Sequence, residues 1–187
     1  MLASFLRRLI PERFRPIGYL THLARARTGS TVVSGPFAGL KYGDVSQGSA
    51  YIPKLLGIYE RELTPQVAEI VLLHPKLIVD IGAAEGYYAV GLARLLPEAR
   101  VIGFEMDASG RNALSGTVAR NECAERVEVR GKCEPHDLAE ALGHEDSAVV
   151  ICDVEGYEEV LLDPVEVPRL TNTAILVELH DFVIPGN

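Results

Sequence analysis

Four acidic stretches punctuate the sequence from residue 80 onward: DIGAAEG at 80–86, FEMD at 104–107, DVEGYE at 153–158 and ELHD at 178–181. Each follows an apolar run, so each set of carboxylates falls at a strand end. Asp80, Glu85, Glu105 and Asp107 surround a small turn built on Gly82, Ala83 and Gly86. A turn of this kind lets a ligand approach bare backbone. Asp153, Glu155 and His180 are the groups that could accept a proton at the edge of such a site. With Glu178 and Asp181 they could also make an oxygen-rich cation site, but histidine is a poor ligand for magnesium and no metal is expected.

The charge of the turn decides between ligands. A nicotinamide enzyme needs G-x-G-x-x-G there, with the pyrophosphate on the helix N-terminus. Counting from Gly82, the sequence offers Gly82, Ala84 and Tyr87, so the second and third positions fail. Two phosphates would sit among four carboxylates, with no basic residue inside the turn. Like charges about 4 Å apart cost about 4 kcal/mol at an effective dielectric of 20. A ligand carrying a sulfonium and an ammonium is attracted instead, and S-adenosylmethionine carries both. Asp80 can cap the following helix while it serves that ligand. Glu105, 23 residues after Gly82, has the spacing of a ribose-binding acid.

The elements that must hold these residues alternate. LIVDI (77–81) predicts a strand and EGYYAVGLARLL (85–96) a helix; RVIGFE (100–105) and SGRNALSGTVARN (109–121) repeat the pair. RVEVR (126–130) is followed by a helix at 135–142, then AVVICDV (148–154), a short helix near 156–162, and AILVELH (174–180). The runs at 77–81, 148–152 and 174–177 are almost wholly apolar, as strands covered on both faces are. The pattern predicts a doubly wound, mostly parallel α/β sheet, with the ligand beyond the carboxyl ends of its central strands. Upstream, TVVSGPFAGLKY (31–42) reads as two short strands about a turn, and Thr64-Pro65 opens a helix ending near His74-Pro75. Tyr59 and Glu60, just before that helix, are candidates for contact with the ligand.

The chain has 187 residues, 48% of them hydrophobic, which suits one folded domain. A net charge of −8 argues against a nucleic-acid partner. Residues 1–30 run against that balance, with six arginines and one glutamate. They are expected to form a basic helical segment lying on a domain that covers 31–187. No apolar run is long enough to span a membrane, and no stable membrane insertion is expected. Cys123, Cys133 and Cys152 form no CxxC pair and, with no secretory signal, fit a reducing cytoplasm; Cys152 is expected to pack in its strand.

VDIGAAEGYY, VIGFEMD and VICDVEGYE together resemble the motifs of the class I S-adenosylmethionine-dependent methyltransferases, and within them the FkbM-type family. The resemblance runs from about residue 30 to the end, and the D-x-E-G-x-E segment is its most discriminating part. It implies a Rossmann-like fold and transfer of a methyl group to a hydroxyl oxygen of a small or sugar-containing acceptor. It implies that Asp80, Gly82, Ala83 and Gly86 shape the cofactor loop, with Gly82 and Gly86 leaving room for the methionine portion. Glu105 would accept the ribose hydroxyls, and Asp153 would face the methionine end or the acceptor. Glu155 would stand at the acceptor's entrance.

Two departures accompany it. After the third strand the text is RGKCEPHD, leaving Cys133 or Asp137 to meet the adenine. Two strands that follow the fifth in the full fold are missing, so AILVEL becomes a bare edge; the expectation is a fragment, or another copy covering that edge. A non-catalytic module of the same fold and a nicotinamide oxidoreductase remain the alternatives.

Overall fold

The computed structural model describes residues 16–43 and 51–180. Helix α1 (Pro16–Thr28) and the short α2 (Tyr51–Leu56) precede a 3₁₀ turn at Arg61–Leu63 and helix α3 (Thr64–Leu73). Then come β1 (Leu77–Ile81), α4 (Tyr87–Leu95), β2 (Arg100–Phe104), α5 (Ala108–Arg120), β3 (Val127–Arg130) and α6 (Pro135–Leu142). Strand β4 (Ala148–Cys152), the one-turn α7 (Glu158–Leu161), a 3₁₀ turn at Pro168–Asn172 and β5 (Ala174–Val177) complete the described chain. Of the basic helical segment expected over 1–30, residues 16–28 form α1, and residues 1–15 lie outside the described residues.

The strands form one parallel sheet in the order β3-β2-β1-β4-β5. Winding reverses between β1 and β4, so the loops after these two strands part and leave a crevice. Every residue of β1 and of β4 is buried. Alternate residues serve opposite faces: Ile78, Val101 and Val149 pack with α4, α5, the 32–42 segment and Leu55, while Val79, Ile102 and Val150 pack with α6 and Leu161. This two-sided core is the expected doubly wound architecture, five strands wide among the described residues.

Three local readings change. The expected pair of strands at 31–42 is reduced to one antiparallel bridge, Thr31 to Lys41, because the chain between them folds into tight turns. The side chain of Asn121 holds this segment against α5 by bonding both the N–H and the carbonyl of Lys41, at 3.0 and 2.8 Å. Helix α4 begins at Tyr87, not 85, since Gly86 is its N-cap with φ +89°. Strand β5 stops at Val177, short of 180, and it is not covered on both faces as expected: it lies at the sheet edge with Ala174 and Ile175 exposed.

Candidate functional site

The turn after β1 is shaped by neighbouring chain. Gly82 has φ +85°, and a Cβ placed on it would lie 1.8 Å from the carbonyl oxygen of Asp153. A Cβ on Gly86 would lie 2.5 Å from Leu114 Cδ1. The fold itself thus demands glycine at both positions, and Gly82 also lines the cavity described below. Gly82 is required by the approach of the β4 loop and Gly86 by the packing of α5. The N–H groups of Gly82 and Ala83 both donate to the Phe104 carbonyl at 2.9 Å, which ties the turn to the end of β2.

That tie brings Glu105 into the crevice. Its Oε2 accepts the N–H of Ala84 at 2.8 Å, and its Oε1 accepts the N–H of Asp107 at 2.7 Å. Gly110 leaves the space the side chain occupies, since a Cβ there would be 2.7 Å from Glu105 Cγ. A carboxylate gripped in this way is presented to the cavity in one orientation. Asp107 has a different task from the one expected. It caps α5 by accepting the N–H groups of Ser109 and Gly110 and does not line the cavity.

Asp80 is buried at the end of β1, and its Oδ2 has no hydrogen-bond partner. Burial pushes its pKa up to about 7; a bond from the Ala89 backbone opposes this and nearby Asp153 adds to it. The Ala89 N–H belongs to the first turn of α4, so the carboxylate already takes the place a pyrophosphate would need. Glu85 does not face the ligand as expected. Its side chain is buried, ion-paired with Lys54 Nζ at 2.7 Å and bonded by the Tyr42 hydroxyl. Lys54 reaches it from α2, far upstream of the turn.

At the other side of the crevice the loops after β4 and β5 bring Asp153, Glu155, Glu178 and His180 together. His180 Nδ1 lies 2.7 Å from Glu158 Oε1. Its Nε2 lies 3.9 Å from Asp153, 3.7 Å from Glu155 and 3.8 Å from Glu178. The bond to Glu158 raises the imidazole pKa, burial opposes that rise, and Asp153 and Glu155 add to it. Asp153 is pushed up to about 6, first by burial and then by Glu178. One ligand atom from each of Asp153, Glu155 and His180 falls within 4.8 Å of the others, a grouping that could hold a cation. Asp181 lies outside the described residues.

These groups line one cavity of about 830 Å³ that also takes in Tyr59, Glu60 and Tyr88, with Glu60 accepting the Tyr88 hydroxyl. Seven acidic residues line it, Glu60, Glu62 and Glu178 joining Asp80, Glu105, Asp153 and Glu155. Of the two lysines that line it, Lys54 pairs with Glu85 and Lys132 with Glu134. The cavity is therefore anionic, though Glu85 and Asp107 have left the set read from sequence and others have entered. On the β3 side Cys133 lines it with its thiol raised to about 12 by burial, and Lys132 sits over the Tyr157 ring. Asp137 is spent on the capping box of α6, so Cys133 is the member of that pair left at the wall. Lys54, Tyr88 and Met106 were not foreseen. For Met106 the position beside Glu105 was a usable signal; Lys54 and Tyr88 had none.

No family model and no curated protein matches the sequence. Solved structures do resemble the fold. A Podospora anserina methyltransferase solved with S-adenosylhomocysteine bound is 16% identical over 95% of this chain and 67% of that one, with a TM-score of 0.55. A Klebsiella pneumoniae protein, provisionally named an O-methyltransferase, is 16% identical over 99% of this chain and 76% of that one, with a TM-score of 0.54. At such identity the likeness is one of fold: the Rossmann-like methyltransferase architecture.

Proposed function

We propose that this protein is an S-adenosylmethionine-dependent methyltransferase acting on a hydroxyl oxygen of a small or sugar-containing acceptor. The observation that carries the reading is Glu105, fixed by the Ala84 and Asp107 N–H groups in an anionic crevice at the switch point of the sheet. Two near neighbours in fold support it, and the Asp153–Glu158 segment, D-x-E-G-x-E, supports the FkbM-type grouping. The three cysteines are free thiols, which suits a reducing cytoplasm, and no helix among the described residues is long and apolar enough to cross a membrane.

The residues present fit the cofactor. Glu105 is oriented to accept two adjacent hydroxyls, as a ribose offers. Asp80 has a buried oxygen without a donor, which an ammonium would satisfy. When bound, the cofactor supplies a methyl group already activated on a sulfonium. The protein's contribution is then to align the acceptor and take a proton from it. Asp153 suits that task best, because its carboxyl titrates near 6 and its buried Oδ1 has no hydrogen-bond partner. His180, whose pKa Glu158 raises, turns Nε2 toward Asp153 and Glu155 and steadies both when protonated. Glu155, mostly exposed, guards the acceptor's entrance.

Calorimetric titration with S-adenosylmethionine, S-adenosylhomocysteine and NAD tests the reading. The first two bind, NAD does not, and Glu105→Ala weakens binding roughly 10- to 100-fold, as loss of charge-assisted hydrogen bonds does. Tight NAD binding, or a Glu105→Ala variant that binds as the wild type does, would overturn it. Binding without transfer of labelled methyl to any hydroxylated acceptor would leave a non-catalytic module of the same fold.

A further inference from the structure

Lys54 is a buried cation that the reading above leaves without a task. It is 4% exposed, yet its side chain forms part of the cavity wall. Its Nζ lies 4.7 Å from the centroid of the Tyr59 ring and 5.5 Å from that of Tyr87. A lysine ammonium has three donors, and the bond to Glu85 at 2.7 Å uses one of them. A structural ion pair would close the account if Lys54 were sealed in the core. It is not sealed, because it borders the same space as Asp80, whose carboxyl it draws downward electrostatically.

We infer that Lys54 binds the α-carboxylate of the methyl donor, while the orphan Oδ2 of Asp80 takes its α-ammonium. An amino-acid end is a zwitterion, and recognising it requires one cation and one anion at short range. Lys54 and Asp80 are the buried pair of opposite sign that line this cavity. Glu105 stands after β2 and is held by the Ala84 and Asp107 N–H groups, so the nucleoside and amino-acid ends of one ligand have separate partners. The ammonium of Lys54 then bridges two carboxylates, that of Glu85 and that of the ligand. Glu85 holds Lys54 in place, which accounts for a buried acid beside a site whose other acids face the ligand. The residue thereby sets specificity for an intact amino-acid tail.

This inference rests on the methyl-donor reading, and the experiment separates the two. S-adenosylmethionine and its decarboxylated form, which keeps the sulfonium and the ammonium, are titrated calorimetrically into wild-type protein and into Lys54→Met. Because that variant leaves Glu85 buried without its cation, Lys54→Met combined with Glu85→Gln is measured beside it, with circular dichroism as the check on folding. Wild type should bind the intact donor at least tenfold more tightly than the decarboxylated one, and the double variant should bind both alike. Equal affinity of the wild type for the two compounds overturns the inference while leaving the methyl-donor reading intact. A double variant that loses both compounds by the same factor also overturns it, since that is what a purely structural lysine does. Failure of the wild type to bind either compound removes the underlying reading, and this one with it.

Discussion

The N–H of Ala84 donates to Glu105 Oε2 at 2.8 Å, so the residue that closes the turn after β1 also aims the carboxylate after β2. Ala84 adopts φ +46° to do this, a left-handed conformation that costs a non-glycine residue on the order of 1 kcal/mol. The turn and the carboxylate are therefore one unit, and its parts respond together to substitution.

Gly110→Ala isolates the aim of Glu105 from the rest of that unit. The added methyl would sit 2.7 Å from Glu105 Cγ, and the side chain, being flexible, swings away from its two N–H donors. Helix α5 itself gains up to about 1 kcal/mol from losing a glycine. The expected result is an unchanged or slightly raised melting temperature with donor affinity lowered about tenfold. An undiminished affinity would mean that the orientation of Glu105 is not what the ligand reads.

Gly82→Ala should fail for a different reason. Its Cβ meets a backbone oxygen at 1.8 Å, and neither the β1 turn nor the β4 loop can yield without breaking the Asp153 N–H bond to Ile81. Destabilisation of about 3 kcal/mol or more is expected, visible in chemical denaturation before any ligand is added. A variant that folds normally and has lost only donor binding would show instead that ligand approach, not packing, sets the need for glycine at 82.

What the sequence disclosed and what it hid divide along chain separation. LIVDI and AVVIC announce buried strands because all their information is local, and Glu105 is legible because it ends such a strand at a ribose-binding spacing. Asp107 carried a signal too, since Asp before Ala-Ser-Gly reads as an N-cap. Glu85 could not be read: its partners Lys54 and Tyr42 lie 31 and 43 residues upstream, on a segment with no periodicity to place it over the turn. The same holds for Gly82 and Gly86, whose need for a hydrogen in place of Cβ comes from Asp153 and Leu114 on other elements. Types and spacing thus revealed which strand ends matter, while which acid faces the cavity depended on contacts between distant segments.

Asp80 should make the ligand-free protein less stable as pH rises. Its ordinary value is 3.8 and the folded value is about 7. Between those values the folded chain holds a proton that the unfolded chain has released. The stabilisation is full below pH 3.8 and is lost as pH climbs through 7. Asp80→Asn removes this dependence, so without ligand it should be the more stable protein at pH 8, by on the order of 4 kcal/mol at most, and no more stable at pH 4. The same variant should bind S-adenosylmethionine poorly, because a cation prefers the ionised acid. In wild type that affinity should strengthen from pH 5.5 to 8. Parallel stability curves for the two proteins from pH 4 to 8 would show that the Asp80 carboxyl is not raised by folding.

His180 bears on whether the cluster at the ends of β4 and β5 works with a metal. Nε2 is the nitrogen a metal would require, and it faces Asp153, Glu155 and Glu178 at 3.7 to 3.9 Å. Glu158 holds the other nitrogen and favours the protonated ring, and a protonated ring brings these carboxylates a positive charge. A proton on Nε2 and a metal bond to Nε2 exclude each other. Dialysis against EDTA should then leave donor affinity and methyl transfer unchanged. His180→Gln should act through Asp153: without the nearby cation its carboxyl rises above about 6, and the acid limb of kcat/KM moves to higher pH. Loss of transfer on chelation, restored by magnesium or manganese, would instead give the three ligand atoms of Asp153, Glu155 and His180 to a metal ion.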